Sequence, residues 1–526
     1  MSLQPVLIAG QWQSSQGTKT FSAVDPKTKQ PLPEQYPVSP WVEVAAALDA
    51  ATEAAAKVRS WPGERFAKFL ERYAERIDAR AEELVAMAHA ETALPASPRL
   101  KDVELPRTSN QLRQAAAAAK DGSWRCATID ATLNIRSQRE PIGPVAVFGP
   151  NNFPFAFNSI AGGDFAAAVA AGNPVIAKGH SSHPGTTRLF AEEAQHAAGE
   201  TDLPPGFVQL IYRTSHEDGV KLAADHRLGA IGYTGARSAG LVLKQAADAV
   251  GKPIYLELSS INPVFVLPGA VTPHFAEQYA ASCLMGTGQF CTNPGLVVMI
   301  AGPAAEAVIA DIAGRFQAAA NGVLLGEGVL RNLSSGVKTL LDHGAKLVAG
   351  GEPDAAASGF CYRNTLLRTT GAKFLATPES LQTEAFGNAG LVVVVESSDE
   401  MLAVAKSLEG NLTGCIYSAA DQSDEAIYLR LEPVLRTKVG RLLNDKMPTG
   451  VAVSPAMNHG GPFPATGHPG FTAVGIPASI VRFTRLACYD NVRPHRLPLT
   501  LQNRNPTGRM WRLVDGAWTH GDVAGG

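Results

Sequence analysis

No C-x-x-C pair or other tight cysteine spacing occurs in this chain of 526 residues. Its six cysteines (Cys126, Cys283, Cys291, Cys361, Cys415, Cys488) are scattered, whereas a secreted disulfide scaffold is denser and a structural zinc site shows paired ligands. A reduced, cytoplasmic setting is expected. An excess of charge of one sign is also missing. The 46 Lys and Arg against 48 Asp and Glu leave a net charge of −2, so no global field favours nucleic acid or an anionic membrane. No apolar run approaches the about eighteen residues that span a bilayer. The opening MSLQPVLIAGQWQSS lacks a basic stretch followed by a long apolar one. Neither nucleic acid nor membrane is therefore expected as a partner, and the chain should stay where it is made. Internal repeats and low-complexity tracts are absent too.

What remains is a globular enzyme composition, 45% apolar and 18% charged, in a chain long enough for two or three domains. Residues 41–93 read as helices interrupted at Pro62-Gly63, and a further helix is expected over 101–120. The polar, alternating segment 124–140 reads as hairpin strands. From residue 144 short β-rich runs recur at Val145–Phe148, Pro174–Lys178, Phe207–Tyr212, Ala230–Thr234 and Ile254–Leu258. Helical stretches separate them at Ser159–Ala171, Pro184–Ala198, Asp218–Ala224 and Ser238–Val250. That alternation predicts a parallel, doubly wound sheet, with ligands beyond the C-terminal ends of its strands. A second α/β rhythm follows residue 260. Its strands are expected at Leu296–Ile300, Leu391–Val395, Leu412–Tyr417 and Val439–Leu443, and its helices at 302–319, 399–408 and 421–432. The tail from Ala487 has little helical signal and is expected to lie over a neighbouring surface.

Three segments fall at strand ends or in the loops beside them: FGPNNFPFAF, YLELSSINP and GTGQFCTNPG. A lone cysteine is ordinarily a small core residue. Glu257 alone reads equally as a structural carboxylate, and Asn152 as a turn or cap residue. Together they are the parts that aldehyde oxidation through a thioester requires. A thiolate (Cys291) adds to the carbonyl, a carboxamide (Asn152) donates to the oxyanion, and a carboxylate (Glu257) activates the water that releases the acid.

The chain resembles the aldehyde dehydrogenase superfamily from about residue 7 to about 485. The resemblance rests on N-F-P at Asn152–Pro154, Glu257-Leu258 before Asn262-Pro263, G-Q-x-C at Gly288–Cys291 and E-x-F-G at Glu384–Gly387. The separations also match: 34 residues from Glu257 to Cys291, and 93 from Cys291 to Glu384. It implies the same three catalytic roles. It also implies an α/β fold with a doubly wound, Rossmann-like cofactor domain (1–123 and 142–258) and a second α/β catalytic domain (259–480). A small β oligomerisation element and tail (124–141 and 481–526) would complete a homodimer or homotetramer.

By the same resemblance the cofactor pyrophosphate sits at the helix start Thr234-Gly235-Ala236, where free N–H groups favour an anion. The family usually has Ser where Ala236 stands. Lys178 contacts the adenosine ribose. Three positions on, members strict for NAD carry Glu; Ser181 stands there instead, which removes repulsion of a 2′-phosphate and offers a donor. NADP is therefore the expected cofactor, with NAD still usable, and His180 would add charge if protonated. Glu384 and Phe386 hold the nicotinamide ribose and ring. His180 and His183 form H-x-x-H without a third ligand, so no metal is expected.

The variants GPNNFPFAF, KGHSSHPGT and HGGPFPATG resemble a branch that includes α-ketoglutaric semialdehyde dehydrogenases and bacterial NADP-linked long-chain aldehyde dehydrogenases. The family's common G-G-x-K-x-S-G is replaced by the run from Gly460 to Gly467. A carboxylated semialdehyde needs a cationic anchor, and Arg107 or Arg113 on ELPRTSNQLRQAA is the candidate; both also read as a solvated helix face. Phe153, Phe155, Phe157 and Phe290 would instead build an apolar tunnel for a medium- or long-chain aldehyde. Oxidation of α-ketoglutaric semialdehyde to 2-oxoglutarate is the first expectation. A CoA-acylating enzyme is disfavoured by Glu257, and a non-catalytic relative by retention of Cys291 and Glu257. A thiol hydrolase is disfavoured because no histidine is placed beside Cys291 by the sequence.

Overall fold

The structure, a computed structural model, describes residues 3–523. Between residues 145 and 257 strands and helices alternate as expected. Five parallel strands run in the spatial order Ile254–Glu257, Ala230–Thr234, Val145–Phe148, Val175–Lys178, Val208–Ile211. Their continuous apolar runs follow from burial on both faces, and every residue of Val145–Phe148 and Val208–Ile211 is buried. Strand order reverses between Val145–Phe148 and Ala230–Thr234, which opens a crevice at their C-terminal ends. The pairings Lys178↔Phe148, Tyr233↔Phe148 and Thr234↔Glu257 bring these residues to one edge of the sheet. Antiparallel strands Val6–Ile8 and Gln11–Gln13 extend the far side.

A second seven-stranded sheet takes the order Lys346–Ala349, Thr365–Thr370, Ala389–Val395, Leu296–Ile300, Val264–Val266, Asn411–Tyr417, Val439–Asn444. All but the first pairing are parallel. A third sheet joins distant parts of the chain. Thr484–Asp490 pairs antiparallel with Ile135–Pro141, and Thr128–Asp130, Arg512–Val514 and Ala517–Thr519 complete it. The tail thus supplies three strands, and the first begins ahead of the expected boundary at Ala487.

The N-terminal helices are Trp41–Val58, Gly63–Ala79 and Ala81–Thr92. A Cβ on Gly63 would lie 2.0 Å from the carbonyl oxygen of Ala119, so this glycine lets two helices cross closely. The helix expected at 101 begins at Leu105, after a π-helical turn over Ala96–Glu104. The helix expected at Ser159 begins at Gly163, because the Asn158 side chain takes the N–H of Ile160 and holds a turn. Helices Pro273–Leu284 and Glu327–Asp342 were not anticipated. Among the described residues no helix is long and apolar enough to cross a membrane.

Candidate active site

Cys291 follows the short turn Met285–Gly288. Gly288 has φ +67, and a Cβ there would fall 2.0 Å from the carbonyl oxygen of Gly387. No side chain fits, and the G-Q-x-C loop is pressed backbone to backbone against the E-x-F-G loop. Thr287 has φ +59, a left-handed conformation that costs a β-branched residue about 1–2 kcal/mol. Asn262 offsets some of this. Buried at φ +45, it donates from Nδ2 to the carbonyl oxygens of Cys291 and Asn293, each at 2.9 Å. Its Oδ1 accepts from Thr413 at 2.9 Å. The Asn-Pro of the sequence motif is thus the clamp of the cysteine loop.

Glu257 ends its strand, and the next N–H, that of Leu258, donates to Ala465 at 2.8 Å. The segment carrying Ala465 also delivers His459. Its Nε2 stands 2.8 Å from Glu257 Oε1 and 3.5 Å from Cys291 Sγ. The expectation that no histidine accompanies Cys291 is therefore overturned. His459 is fixed by its own N–H, which donates to Thr472 Oγ1 at 2.8 Å. In a serial Cys–His–carboxylate relay each ring nitrogen serves a different partner. Here one nitrogen faces both, so three proton-holding atoms share one small space. Unprotonated, Nε2 accepts from the thiol; protonated, it donates to Glu257. Burial, reinforced by the Glu257 carboxylate, pushes the Cys291 thiol well above its ordinary range, and the Arg107 charge opposes this. Glu257 Oε2 is buried without a partner.

Asn152 is buried against the cysteine loop, with Nδ2 3.0 Å from the carbonyl oxygen of Gln289. One amide hydrogen is used there and the other remains. Arg99 donates to the Asn152 carbonyl at 3.1 Å and pairs with buried Glu104. The other Glu104 oxygen accepts the N–H groups of Phe155 and Ala156 at 2.8 and 3.0 Å. A single carboxylate thus holds the N-F-P-F turn in place.

The structure separates the two candidate arginines. Arg107 lies over the faces of Phe153 and Phe157, at 5.6 and 5.2 Å, and Phe290 meets Phe153 edge-on at 5.5 Å. Its Nε and Nη2 are buried with no hydrogen-bond partner. Phe157 in turn reaches the His459 ring at 5.9 Å. Phe155 points elsewhere, meeting Phe190 in the core. Arg113 is exposed and pairs with Asp78 at 2.5 Å. Six residues along a helix turn a side chain by about 240°, so Arg113 cannot share the face of Arg107, and its expected substrate role is withdrawn.

At the sheet edge, helix Arg237–Asp248 starts at Ala236 without a side-chain cap, leaving its first N–H groups open to an anion. Thr234 and Gly235 lead into it, half-buried. Burial, and then the Arg213 charge, hold the Lys178 ammonium down to about 8. Arg213 escaped the sequence reading. It lies two residues beyond the strand Val208–Ile211, whose Ile211 is in register with Lys178; a cation just past a buried strand end was the available signal. Ser181 is half-buried beyond Lys178. His180 accepts the Ser182 N–H on Nδ1 at 3.1 Å and stacks on His183. Burial, His183 and Lys178 hold its pKa well below the usual value, which opposes the added charge expected of His180. Glu384 and Phe386 line a cavity with Ser260, Gly288 and Asn293. Burial raises Glu384 to about 7 against hydrogen bonds from Ser259 and the Ser260 backbone.

Comparison with known proteins supplies the family. Residues 12–434 match the model of the aldehyde dehydrogenase family. The chain is 38% identical to α-ketoglutaric semialdehyde dehydrogenase 2 of Azospirillum brasilense, over 98% of this chain and 99% of the relative. It is 35% identical to α-ketoglutaric semialdehyde dehydrogenase of Acinetobacter baylyi, over 95% and 96%. In fold it is similar to a mutant of aldehyde dehydrogenase C from Pseudomonas syringae in complex with NAD+ and octanal. The TM-score is 0.80 at 22% identity, covering 94% of this chain and 98% of the other. The chain belongs to the aldehyde dehydrogenase family.

Proposed function

We propose that the protein oxidises an aldehyde bearing a distal carboxylate, α-ketoglutaric semialdehyde in the first instance, to the acid, here 2-oxoglutarate. The observation that carries this reading is Arg107. Two of its guanidinium nitrogens are buried and unpartnered beside the cluster that contains Phe290, the neighbour of Cys291. A buried cation without a counter-ion is costly, and a substrate carboxylate supplies one. The names of the Azospirillum and Acinetobacter relatives point the same way. The second reading, a medium- or long-chain aldehyde, is favoured by the ring cluster of Phe153, Phe157 and Phe290.

In this mechanism His459 Nε2 takes the proton of Cys291 as the sulfur adds to the aldehyde carbon. The free Asn152 N–H donates to the developing oxyanion, where a fixed donor stabilises charge without reorganisation. A bound nicotinamide would accept the hydride, which would leave the acyl group on Cys291 as a thioester. Water then attacks, Glu257 takes its proton, and the C–S bond breaks to release the acid.

The residues fit such a cofactor. The uncapped start of helix Arg237–Asp248 suits the pyrophosphate, Lys178 and Ser181 the adenosine ribose, and Glu384 and Phe386 the nicotinamide ribose and ring. NADP is preferred because Lys178, on which the Arg213 charge acts, stands three residues before a neutral Ser181, where a 2′-phosphate would lie; NAD remains usable. We further assign residues 1–123 and 142–258 to cofactor binding, 259–480 to catalysis, and 124–141 with 481–526 to assembly of a homodimer or homotetramer in the cytoplasm. The strand Thr484–Asp490 supports assembly, being an edge strand that exposes Leu486.

An initial-rate panel tests the proposal: α-ketoglutaric semialdehyde, succinic semialdehyde, hexanal and decanal, each with NAD and NADP. The carboxylated substrates with NADP should show the highest kcat/KM. Highest efficiency with decanal, or a requirement for CoA, would overturn it.

A further inference from the structure

Cys291 Sγ, His459 Nε2 and a carboxylate oxygen of Glu257 all lie within 4.8 Å of one another. We propose that this triangle is a zinc site, and that a zinc ion bound there switches the enzyme off by occupying its nucleophile and its base together. Thiolate, imidazole and carboxylate are the three zinc-ligand types, and three protein ligands with an open fourth position make a recurrent zinc geometry.

The spacing is close to what the ion needs. Tetrahedral zinc, with Zn–S about 2.3 Å and Zn–N about 2.0 Å, places sulfur and nitrogen about 3.5 Å apart. The observed Sγ–Nε2 separation is 3.5 Å. For nitrogen and oxygen the ideal is about 3.4 Å, against 2.8 Å from Nε2 to Oε1. The carboxylate must therefore withdraw by about half an ångström, or present its other oxygen. That oxygen, Oε2 of the buried Glu257, has no hydrogen-bond partner, so turning towards the ion breaks no protein contact of its own. The thiol proton leaves to solvent when the ion binds, and a thiolate with a carboxylate balances the 2+ charge, so the buried site becomes neutral. No oxidation step is involved, and removal of the ion restores the resting groups.

The other thiols differ in setting. Cys283, Cys361 and Cys415 are buried, while Cys126 and Cys488 are exposed, and none of the five belongs to a group of three His, Cys, Asp or Glu ligands among the described residues. The two exposed thiols are the competing sites that an experiment must separate.

The test uses the full-length apoenzyme, titrated with Co2+ as a spectroscopic stand-in and with Zn2+ by calorimetry. One ion per chain should bind, with a thiolate-to-cobalt charge-transfer band and the visible bands of four-coordination. Outer-shell changes already cost metal sites up to about 100-fold in affinity. His459→Ala and Cys291→Ala, which remove ligands outright, should weaken zinc by at least that factor, and Cys291→Ala should abolish the charge-transfer band. The Cys126→Ser/Cys488→Ser double variant should bind as the parent does and show the same aldehyde-competitive, chelator-reversible inhibition. Equal affinity in parent, His459→Ala and Cys291→Ala proteins, or loss of binding in the double variant, would overturn the proposal. These readouts do not depend on the natural aldehyde, so failure here and failure of the substrate panel are separate results.

Discussion

Replacing Arg107 by Met keeps the apolar stem that packs on Phe153 and Phe157 and removes the charge. Two guanidinium nitrogens are buried without partners, so a substrate carboxylate reaching them would form a largely desolvated pair. Truncating one member of such a pair costs about 2–5 kcal/mol. Arg107 keeps some solvent contact, which places the expectation near the lower part of that range. At about 2–3 kcal/mol, kcat/KM for α-ketoglutaric semialdehyde should fall about 30- to 150-fold. The same charge also steadies the Cys291 thiolate, so a neutral aldehyde is the necessary control. Hexanal should lose only the share due to the thiolate and fall much less. The assay is reduced-cofactor absorbance in initial-rate mode, with both substrates on both proteins. Arg107→Lys should recover part of the loss, since an ammonium supplies the charge but not the planar fork. Equal losses with both aldehydes would refute the anchor and leave Arg107 as a support of the nucleophile.

His459→Asn should lower kcat by about 10²- to 10⁴-fold, the usual contribution of a positioned proton acceptor, and rapid mixing should find the loss in the step that forms reduced cofactor. Burial and the Arg213 charge bring the Lys178 pKa down to about 8, so its positive charge is lost progressively as pH rises through that range. NADP binding, followed by fluorescence, should therefore weaken as pH rises from about 8, and Lys178→Met should flatten the profile. Arg213→Ala should raise KM for NADP by about tenfold or more while leaving that for NAD nearly unchanged, because only the former carries the 2′-phosphate; equal shifts would sink the cofactor assignment. Leu486 is 70% exposed on an edge strand. Leu486→Asp should leave thermal stability intact and shift sedimentation towards the monomer, whereas an unchanged oligomer would remove that strand from the interface.

The doubly wound sheet was legible because parallel strands buried on both faces read as unbroken apolar runs, and helices between them keep a different period. Glu257 stood out because strand ends are where such sheets place ligands, whereas Lys178 was singled out only by the resemblance to the family. Helix Glu327–Asp342 was not. Its interior carries Gly336 and a Ser334-Ser335 pair, weak helix formers that hold because Leu333, Val337 and Leu340 are buried. Helix Pro273–Leu284 carries a start signal in Thr272, which accepts the N–H of Phe275. His459 opens the run HGGPFPATG, but nothing local tied it to Cys291. It sits in irregular chain between Asn444 and Ala478 and meets Cys291 across 168 residues. The approach depends on the pairing of Leu258 with Ala465, a long-range backbone contact that composition and spacing do not encode.

The bare contact of Gly288 with Gly387 has a consequence for anyone redesigning this protein. The loop that holds the sulfur and the loop that carries Glu384 and Phe386 share one party wall with no thickness to spare. Remodelling the proposed nicotinamide end of the cleft should therefore disturb the Cys291 loop as well, whatever chemistry was intended. The proposed adenosine end lies elsewhere, with Lys178 closing the strand Val175–Lys178, and Ser181 and Arg213 just beyond the ends of that strand and of Val208–Ile211. If the proposed placement holds, changes of cofactor preference at Ser181 work on a wall that the cysteine loop does not share.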